Sequence, residues 1–282
     1  MNATVAPEQG FPVVERSCTL LRNDWVNARY KRLQLEADAP QTGAQAGQFF
    51  NLLCPQDGED QPFLRRPMSV YAARPAERRI EFLYKVTGAG TRALAGLRPG
   101  EALNAVGPLG RGFTLDPAWQ RVLVLARGVG LATMAPLVPL AAARGMAVSA
   151  VLSARAPADL MREEFVQGTG IEVHAVFDSD GSAGLDRVEP LLRRLIEAGC
   201  PDLLYTCGSA RLLALAQRLC REYGLRGEAA LEQQMACAFG VCLCCVREFE
   251  VDGERLHRRV CCEGPVFDLQ QVVADSAWVG PS

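Results

Sequence analysis

A chain of 282 residues is long enough for about two domains, and 49% hydrophobic with 22% charged residues is a globular profile, which excludes disorder and collagen. Thirty basic against thirty-two acidic residues leave a formal charge of -2, which excludes broad electrostatic capture of nucleic acid or of an anionic membrane. With only His174 and His257 present, chemistry that needs several imidazoles is excluded too, and the eleven cysteines become the feature to explain.

The opening segment, MNATVAPEQGFPVVERSC, lacks the basic start and continuous apolar core of a secretory signal. The chain is therefore expected in the cytoplasm, with residues 1–10 as a tail. From 11 to 117, short β-type runs are broken by Gly, Pro and Asp: Tyr30 to Leu35, Phe49 to Leu53, Met68 to Ala72 and Ile80 to Val86. This pattern predicts a small antiparallel barrel. Within it, Arg65-Arg66-Pro67-Met68-Ser69-Val70 sets a guanidinium three residues before a hydroxyl. The arginine suits a phosphate and the serine a heterocycle nitrogen; the alternative is a solvated strand edge. Gly88-Ala89-Gly90-Thr91 follows a strand and opens a helical run, so its bare N–H groups could receive a pyrophosphate or simply turn the chain.

From 118 to 228, apolar strand candidates alternate with helix-length segments: Val122 to Ala126, Ala147 to Ser153, Ile171 to Phe177 and Leu203 to Cys207. That rhythm predicts a doubly wound parallel sheet. Val122 to Ala143 approaches membrane-spanning length, but Arg127, two glycines, Pro136 and Pro139 make it a buried strand, a glycine turn and a helix. No membrane span is predicted. Gly128-Val129-Gly130 lies at the strand-to-helix turn where such a sheet binds a nucleotide, without the full G-x-G-x-x-G.

The last block, 229–282, holds six of the eleven cysteines between Cys237 and Cys262. It has few large apolar side chains, so a bound metal centre would staple it. Cys237, Cys242 and Cys245 read C-x4-C-x2-C, and Cys261 follows a 15-residue insert that reads as a hairpin through Val251, Asp252 and Gly253. Four thiolates is the ligand count of a [2Fe-2S] cluster, and the small residues Ala238 and Gly240 let the loop turn N–H groups towards its sulfides. A structural zinc site normally uses two compact C-x2-C pairs, so a zinc-stabilised interaction module is the lesser alternative. Cys244 and Cys262 are surplus thiols beside these positions and leave open which sulfurs bind. Cys18, Cys54, Cys200 and Cys220 are expected to be apolar filler.

These motifs, in order, are Gly47-Gln48-Phe49, Arg66-Pro67-Met68-Ser69, Gly88-Ala89-Gly90-Thr91, Gly107-Pro108-Leu109-Gly110, Gly128-Val129-Gly130, Asp180-Gly181-Ser182, Cys207-Gly208, Met235-Ala236-Cys237 and Cys261-Cys262-Glu263-Gly264-Pro265-Val266-Phe267. Together they make the whole chain resemble the electron-transfer subunits of B-type dihydroorotate dehydrogenases, in the ferredoxin-NADP reductase superfamily. The resemblance implies an α+β multidomain protein with an antiparallel FAD-binding β-barrel, a doubly wound parallel α/β NAD-binding domain and a small C-terminal [2Fe-2S] module. It implies that FAD is held by Arg66, Pro67, Met68 and Ser69, by Lys85 and Val86, and at its pyrophosphate by Gly88, Gly90 and Thr91. Gly128, Gly130, Cys207 and Gly208 would line the nicotinamide site, with Cys207 as the catalytic residue or else a packed strand-end thiol. Cys237, Cys242, Cys245 and Cys261 would bind the cluster, because the family's fourth ligand lies three residues before the Gly of Gly-Pro-Val-Phe.

Four departures stand out: Arg127 where a glycine is usual, a turn lengthened by Ala132-Thr133-Met134, Cys244 for a small residue, and Ala238-Phe239 for Gly-Ile. Arg127 could contact a phosphate, form a salt bridge or contact a partner. After the second parallel strand stand Arg155 and Asp159; NAD-using relatives carry the arginine too, so NAD is expected rather than NADP. The implied partner is a catalytic redox subunit, with or without a flavin of its own. Small subunits of ferredoxin oxidoreductases or sulfhydrogenases are the alternative. Val266, Phe267, Val272, Val273 and Trp278 are expected either to dock that partner or to fold back on the nucleotide domain.

Overall fold

The computed structural model describes residues 13–56, 59–161 and 171–274. The barrel is built from β1 (Val14–Trp25), β2 (Tyr30–Glu36), a short α1 (Ala39–Thr42), β3 (Phe49–Leu52), β4 (Arg66–Ser69), β5 (Ala72–Arg74), β6 (Arg79–Lys85), α2 (Ala89–Gly96) and β7 (Ala102–Leu109). Its seven strands run in the order β4-β3-β7-β1-β2-β6-β5, all antiparallel. Two edges would remain, but the chain between β4 and β5 joins them. The N–H of Val70 donates to Gln48 at 2.9 Å on one side, and that of Tyr71 to Glu81 at 2.8 Å on the other. This crossover closes the sheet and divides the strand expected over 68–72 in two.

Alternation then fills the interior: Leu20, Leu33, Leu35, Phe50, Leu52, Ile80, Phe82 and Leu103 are buried together. Glu81, fully buried at the closure, has its carboxylate held by Arg32, Arg74 and Arg79, whose Nε atoms lie 2.6, 3.2 and 2.8 Å away. A buried carboxylate persists only when paired in this way.

The nucleotide half contains β8 (Arg121–Arg127), α3 (Gly130–Met134), α4 (Leu137–Ala143), β9 (Ala147–Ala154), β10 (Glu172–Phe177), α5 (Leu185–Gly199), β11 (Leu203–Cys207), α6 (Ala210–Tyr223) and β12 (Arg226–Ala230). The order β10-β9-β8-β11-β12 is parallel throughout. Both faces of β8 are buried, Val122, Val124 and Ala126 under α3 and α4, Leu123 and Leu125 under α5 and α6. That is why it reads as an unbroken apolar run. Tyr30, Tyr71 and Leu83 of the barrel join the α3–α4 side, so the two halves share one core.

The C-terminal segment adds β13 (Val246–Val251), β14 (Glu254–Arg259), α7 (Val260–Glu263) and β15 (Val266–Asp268). The hairpin turns at Asp252 and Gly253, both at positive φ (53° and 81°), as a two-residue Asp-Gly connection requires. The boundary expected at 228 falls inside β12, and β15 pairs antiparallel with that strand as a sixth member of the sheet. Of the two placements expected for Val266, Phe267 and Val272, folding back on the chain is the one found. All three are buried against the nucleotide half, because β15 supplies the missing edge and Phe267 stacks at 4.4 Å on Phe249 of the hairpin. Trp278 lies outside the described residues.

Candidate functional site

Two of the predicted motifs meet on the barrel. Arg66 begins β4, and its guanidinium lies against Gly90 so closely that any Cβ there would collide with it. Gly88 caps α2, and Thr91 Oγ1 accepts the N–H of Thr87 at 2.9 Å and of Gly88 at 3.0 Å, fixing the turn. The far end of α2 is clamped by the barrel wall. Asn23 Nδ2 donates to the carbonyls of Leu94 and Leu97 at 2.9 and 3.1 Å, and Lys31 Nζ to that of Ala95 at 2.7 Å. Lys85 ends β6, and the N–H of Val86 donates to Arg29 at 2.9 Å, so the strand delivers the chain directly to the turn. A glycine cradle with a guanidinium across it fits the phosphate of a dinucleotide.

The second group gathers where β8 and β11 end. Gly208 has φ 94°, and a Cβ there would strike the carbonyl of Arg127, while one on Gly130 would lie 2.6 Å from the carbonyl of Cys207. Only glycine permits the two strand ends to approach so closely. Gly128 is open, with Tyr30 Oη 3.8 Å from its Cβ position. Arg127 is drawn away from this opening: it donates to Ser153 Oγ and Asp178 Oδ2, each at 2.6 Å, and holds the Asp178 carboxyl below its usual range. Arg127 thus forms a salt bridge with Asp178.

Ser69, Pro67 and Phe49 form one wall of a cleft whose other wall is Thr133, Cys207 and Glu232. The hydroxyls of Ser69 and Thr133 bond at 2.9 Å across it. The Cys207 thiol points at Glu232 Oε1, 4.0 Å away. Burial, then the Glu232 carboxylate, push this thiol well above its ordinary value, so it stays protonated. Glu232 opens into the cleft yet is surrounded by protein, and burial raises its carboxyl. A second cavity of about 260 Å³ lies on the other side of Cys207, between Gly208, Ser209 and Arg247. Cys207 thus belongs to the walls of both.

The four predicted ligands of the last block lie in two pairs, Cys237 with Cys242 and Cys245 with Cys261. Cys237 Sγ accepts the N–H of Phe239 at 3.3 Å and of Cys242 at 3.5 Å. Burial works against the charge, but these amides prevail and hold the thiol down to about 6. Cys245 Sγ accepts the N–H of Cys261 at 3.5 Å. Ala238, Gly240 and Leu243 all have positive φ, between 59° and 77°, which turns successive amides of the loop inward. Amides directed at sulfur fit thiolate ligation of an iron-sulfur cluster. Among the described residues no three Cys, His or acidic side chains are close enough to hold a single ion. The loop touches the barrel through Asn51, whose Nδ2 donates to the Cys237 carbonyl at 3.5 Å.

A family model described as the iron-sulfur cluster binding domain of dihydroorotate dehydrogenase B matches residues 232–273. A relative from Desulforamulus reducens, the electron transfer subunit of dihydroorotate dehydrogenase B (NAD(+)), is 34% identical over 244 residues, covering 85% of this chain and 91% of its own. The chain belongs to this family. The corresponding subunits of Shouchella clausii and Bacillus caldolyticus are 30% and 34% identical, over 90% and 87% of this chain and 96% and 93% of their own. The fold is shared with a chain of NADH-dependent reduced ferredoxin-NADP oxidoreductase, with a TM-score of 0.77 and 24% identity over 92% of this chain and 90% of that one. The expected ferredoxin-NADP reductase-like architecture is therefore correct.

For a dihydroorotate dehydrogenase B electron transfer subunit, the stretch 232–273 contains all four predicted cluster ligands and also the surplus Cys244 and Cys262. Sequence reasoning noted Thr133 only as part of a lengthened turn and passed over Glu232, Asn51 and Arg247. Each joins the site by tertiary contact alone: Thr133 meets Ser69 and Asn51 meets Cys237 across 64 and 186 residues.

Proposed function

We propose that this chain passes electrons between NAD(H), FAD and a [2Fe-2S] cluster, and through the cluster to a catalytic dihydroorotate dehydrogenase subunit. The observation that carries the reading is contiguity: Cys207 walls both cavities, Ser69 and Thr133 bond across the inner one, and Asn51, two residues from Phe49 of the same wall, holds the loop of Cys237. A bound flavin exchanges hydride with nicotinamide and single electrons with an iron-sulfur cluster, which is the reason for that order.

Arg66, with Gly88, Gly90 and Thr91, binds the phosphates of FAD. Lys85 and Val86 would also contact FAD, and Pro67, Met68 and Ser69 would orient its ring. Gly128 leaves room for the nicotinamide nucleotide beside the close junction that Gly130 and Gly208 permit, NAD in preference to NADP. Cys207 keeps its proton and presents an uncharged sulfur to the nicotinamide, excluding water from the contact. Cys237, Cys242, Cys245 and Cys261 hold the cluster. The blocks 11–117, 118–228 and 229–282 serve as flavin, nucleotide and cluster units, and the partner sets the direction of flow. No described helix is long and apolar enough to cross a membrane. A cytoplasmic location suits a chain with eleven unpaired thiols.

Anaerobic mixing with NADH tests the order. Cys237→Ser, Cys242→Ser, Cys245→Ser or Cys261→Ser should abolish the cluster's electron-paramagnetic signal while the flavin still bleaches within the wild-type time. Flavin that no longer accepts hydride in all four variants would overturn it.

A further inference from the structure

We propose that Cys262 is a positioning residue for the cluster, its thiol donating a hydrogen bond to the sulfur of Cys261. The inference rests on the cluster reading above. The two sulfurs, on neighbouring residues of α7, lie 3.5 Å apart. That is far beyond the disulfide length of about 2.05 Å and within the range of a sulfur hydrogen bond. Either sulfur can be the donor; with the Cys261 sulfur given to a metal it serves as acceptor, which leaves the Cys262 S–H as the donor.

The thiol is held in place from outside. Gly240, at φ 77°, turns the cluster loop over it so closely that a Cβ at that position would lie 2.7 Å from Cys262 Sγ. Arg259 fastens this arrangement: its Nε donates to Glu263 at 3.0 Å, and its Nη1 to the Gly240 carbonyl at 3.4 Å. Cys244, the other surplus thiol, is turned away and donates to the carbonyl of Gln234 at 3.8 Å. Of the two extra cysteines, only Cys262 is bonded to a predicted ligand sulfur.

The consequence is electrochemical. Reduction adds one electron from the flavin, and part of the added charge resides on the ligand sulfurs. A hydrogen bond to such a sulfur strengthens as its charge grows, so it favours the reduced cluster and raises the potential. No bond is made or broken, and the thiol proton stays on Cys262.

The test is a redox titration followed by electron-paramagnetic resonance on the full chain carrying FAD and iron, with Cys262→Ala and Cys262→Ser. Cys262→Ala should retain iron but lower the reduction equilibrium constant about tenfold, which for one electron is about 59 mV. Cys262→Ser, which still has a donor, should stay within about threefold of wild type. An Ala variant with full iron and an unchanged potential overturns the proposal. So does a Cys262→Ser that loses iron while Cys261→Ser keeps it, since Cys262 would then be the ligand. If Cys262→Ala does not hold iron, the Ser variant decides: a near-wild-type potential supports the bond, and loss of iron there too refutes it. A wild-type protein without iron would instead refute the cluster reading itself.

Discussion

Replacing Arg66 by Ala removes a guanidinium that lies against Gly90 and leaves the barrel interior intact, since the side chain is only half-buried. A charge-assisted contact to phosphate contributes about 1.5 to 3 kcal/mol, so FAD affinity should fall roughly ten- to hundredfold with little change in unfolding temperature. Flavin retained through prolonged dialysis would contradict this. Glu232 gives a pH signature. Although its side chain is open to the cleft, the protein around it raises its carboxyl above the ordinary value of 4.5, so the folded state binds the proton more tightly than the unfolded chain. Its contribution to stability is complete below about pH 4.5 and is lost as pH rises through the folded-state value. Glu232→Gln cannot titrate, so its unfolding temperature should match wild type at low pH and exceed it increasingly towards pH 8. Parallel melting curves across that range would check the sign. Glu232 illustrates what a linear reading misses: one acid among thirty-two carries no local signal, and its role arises only where β11 and β12 end together. The cysteine ligands and turn glycines were legible because sulfur spacing and positive φ are local demands.

The same division holds among elements. β2, β9 and β11 were legible because alternation or a doubly buried apolar run marks them over their own length. The split between β4 and β5 was not, since Val70 and Tyr71 continue the strand-like pattern and are parted only by bonding to opposite edges. β15 is a three-residue strand, too short to announce itself. Its central residue carries much of the joint between hairpin and sheet. Phe267→Ala should cost about 3 to 5 kcal/mol of unfolding free energy, because Phe249 on one side and the α5–α6 core on the other cannot both close on the gap. Urea titration of the iron-loaded protein measures it. A loss under about 1 kcal/mol would mean that the site collapses readily.

At the scale of the whole molecule, three uncovered apolar side chains lie together on the cluster loop: Phe239, Val241 and Leu243 are 48%, 81% and 60% exposed. They surround Cys242, an exposed predicted ligand, and fit a surface where electrons leave for the catalytic subunit. Val241→Asp should keep FAD and iron yet weaken that complex roughly tenfold or more, measured by light scattering of coexpressed subunits. An undiminished complex would place the interface elsewhere. Two bonds and one close approach then bear on how freely the units can move. The Gly264 carbonyl accepts the N–H of Arg111 at 2.6 Å from the barrel side, and the Pro265 carbonyl that of Leu231 at 2.9 Å beyond the end of β12. Gly110 has no Cβ to intrude, since one would lie 2.7 Å from Pro265 Cδ. One dipeptide is thus a rivet through all three parts, and a hinge between cluster and nucleotide would have to shear it. Whatever gating this subunit performs is left to its loops and its partner, with the path for electrons built as a fixed wire rather than a swinging arm.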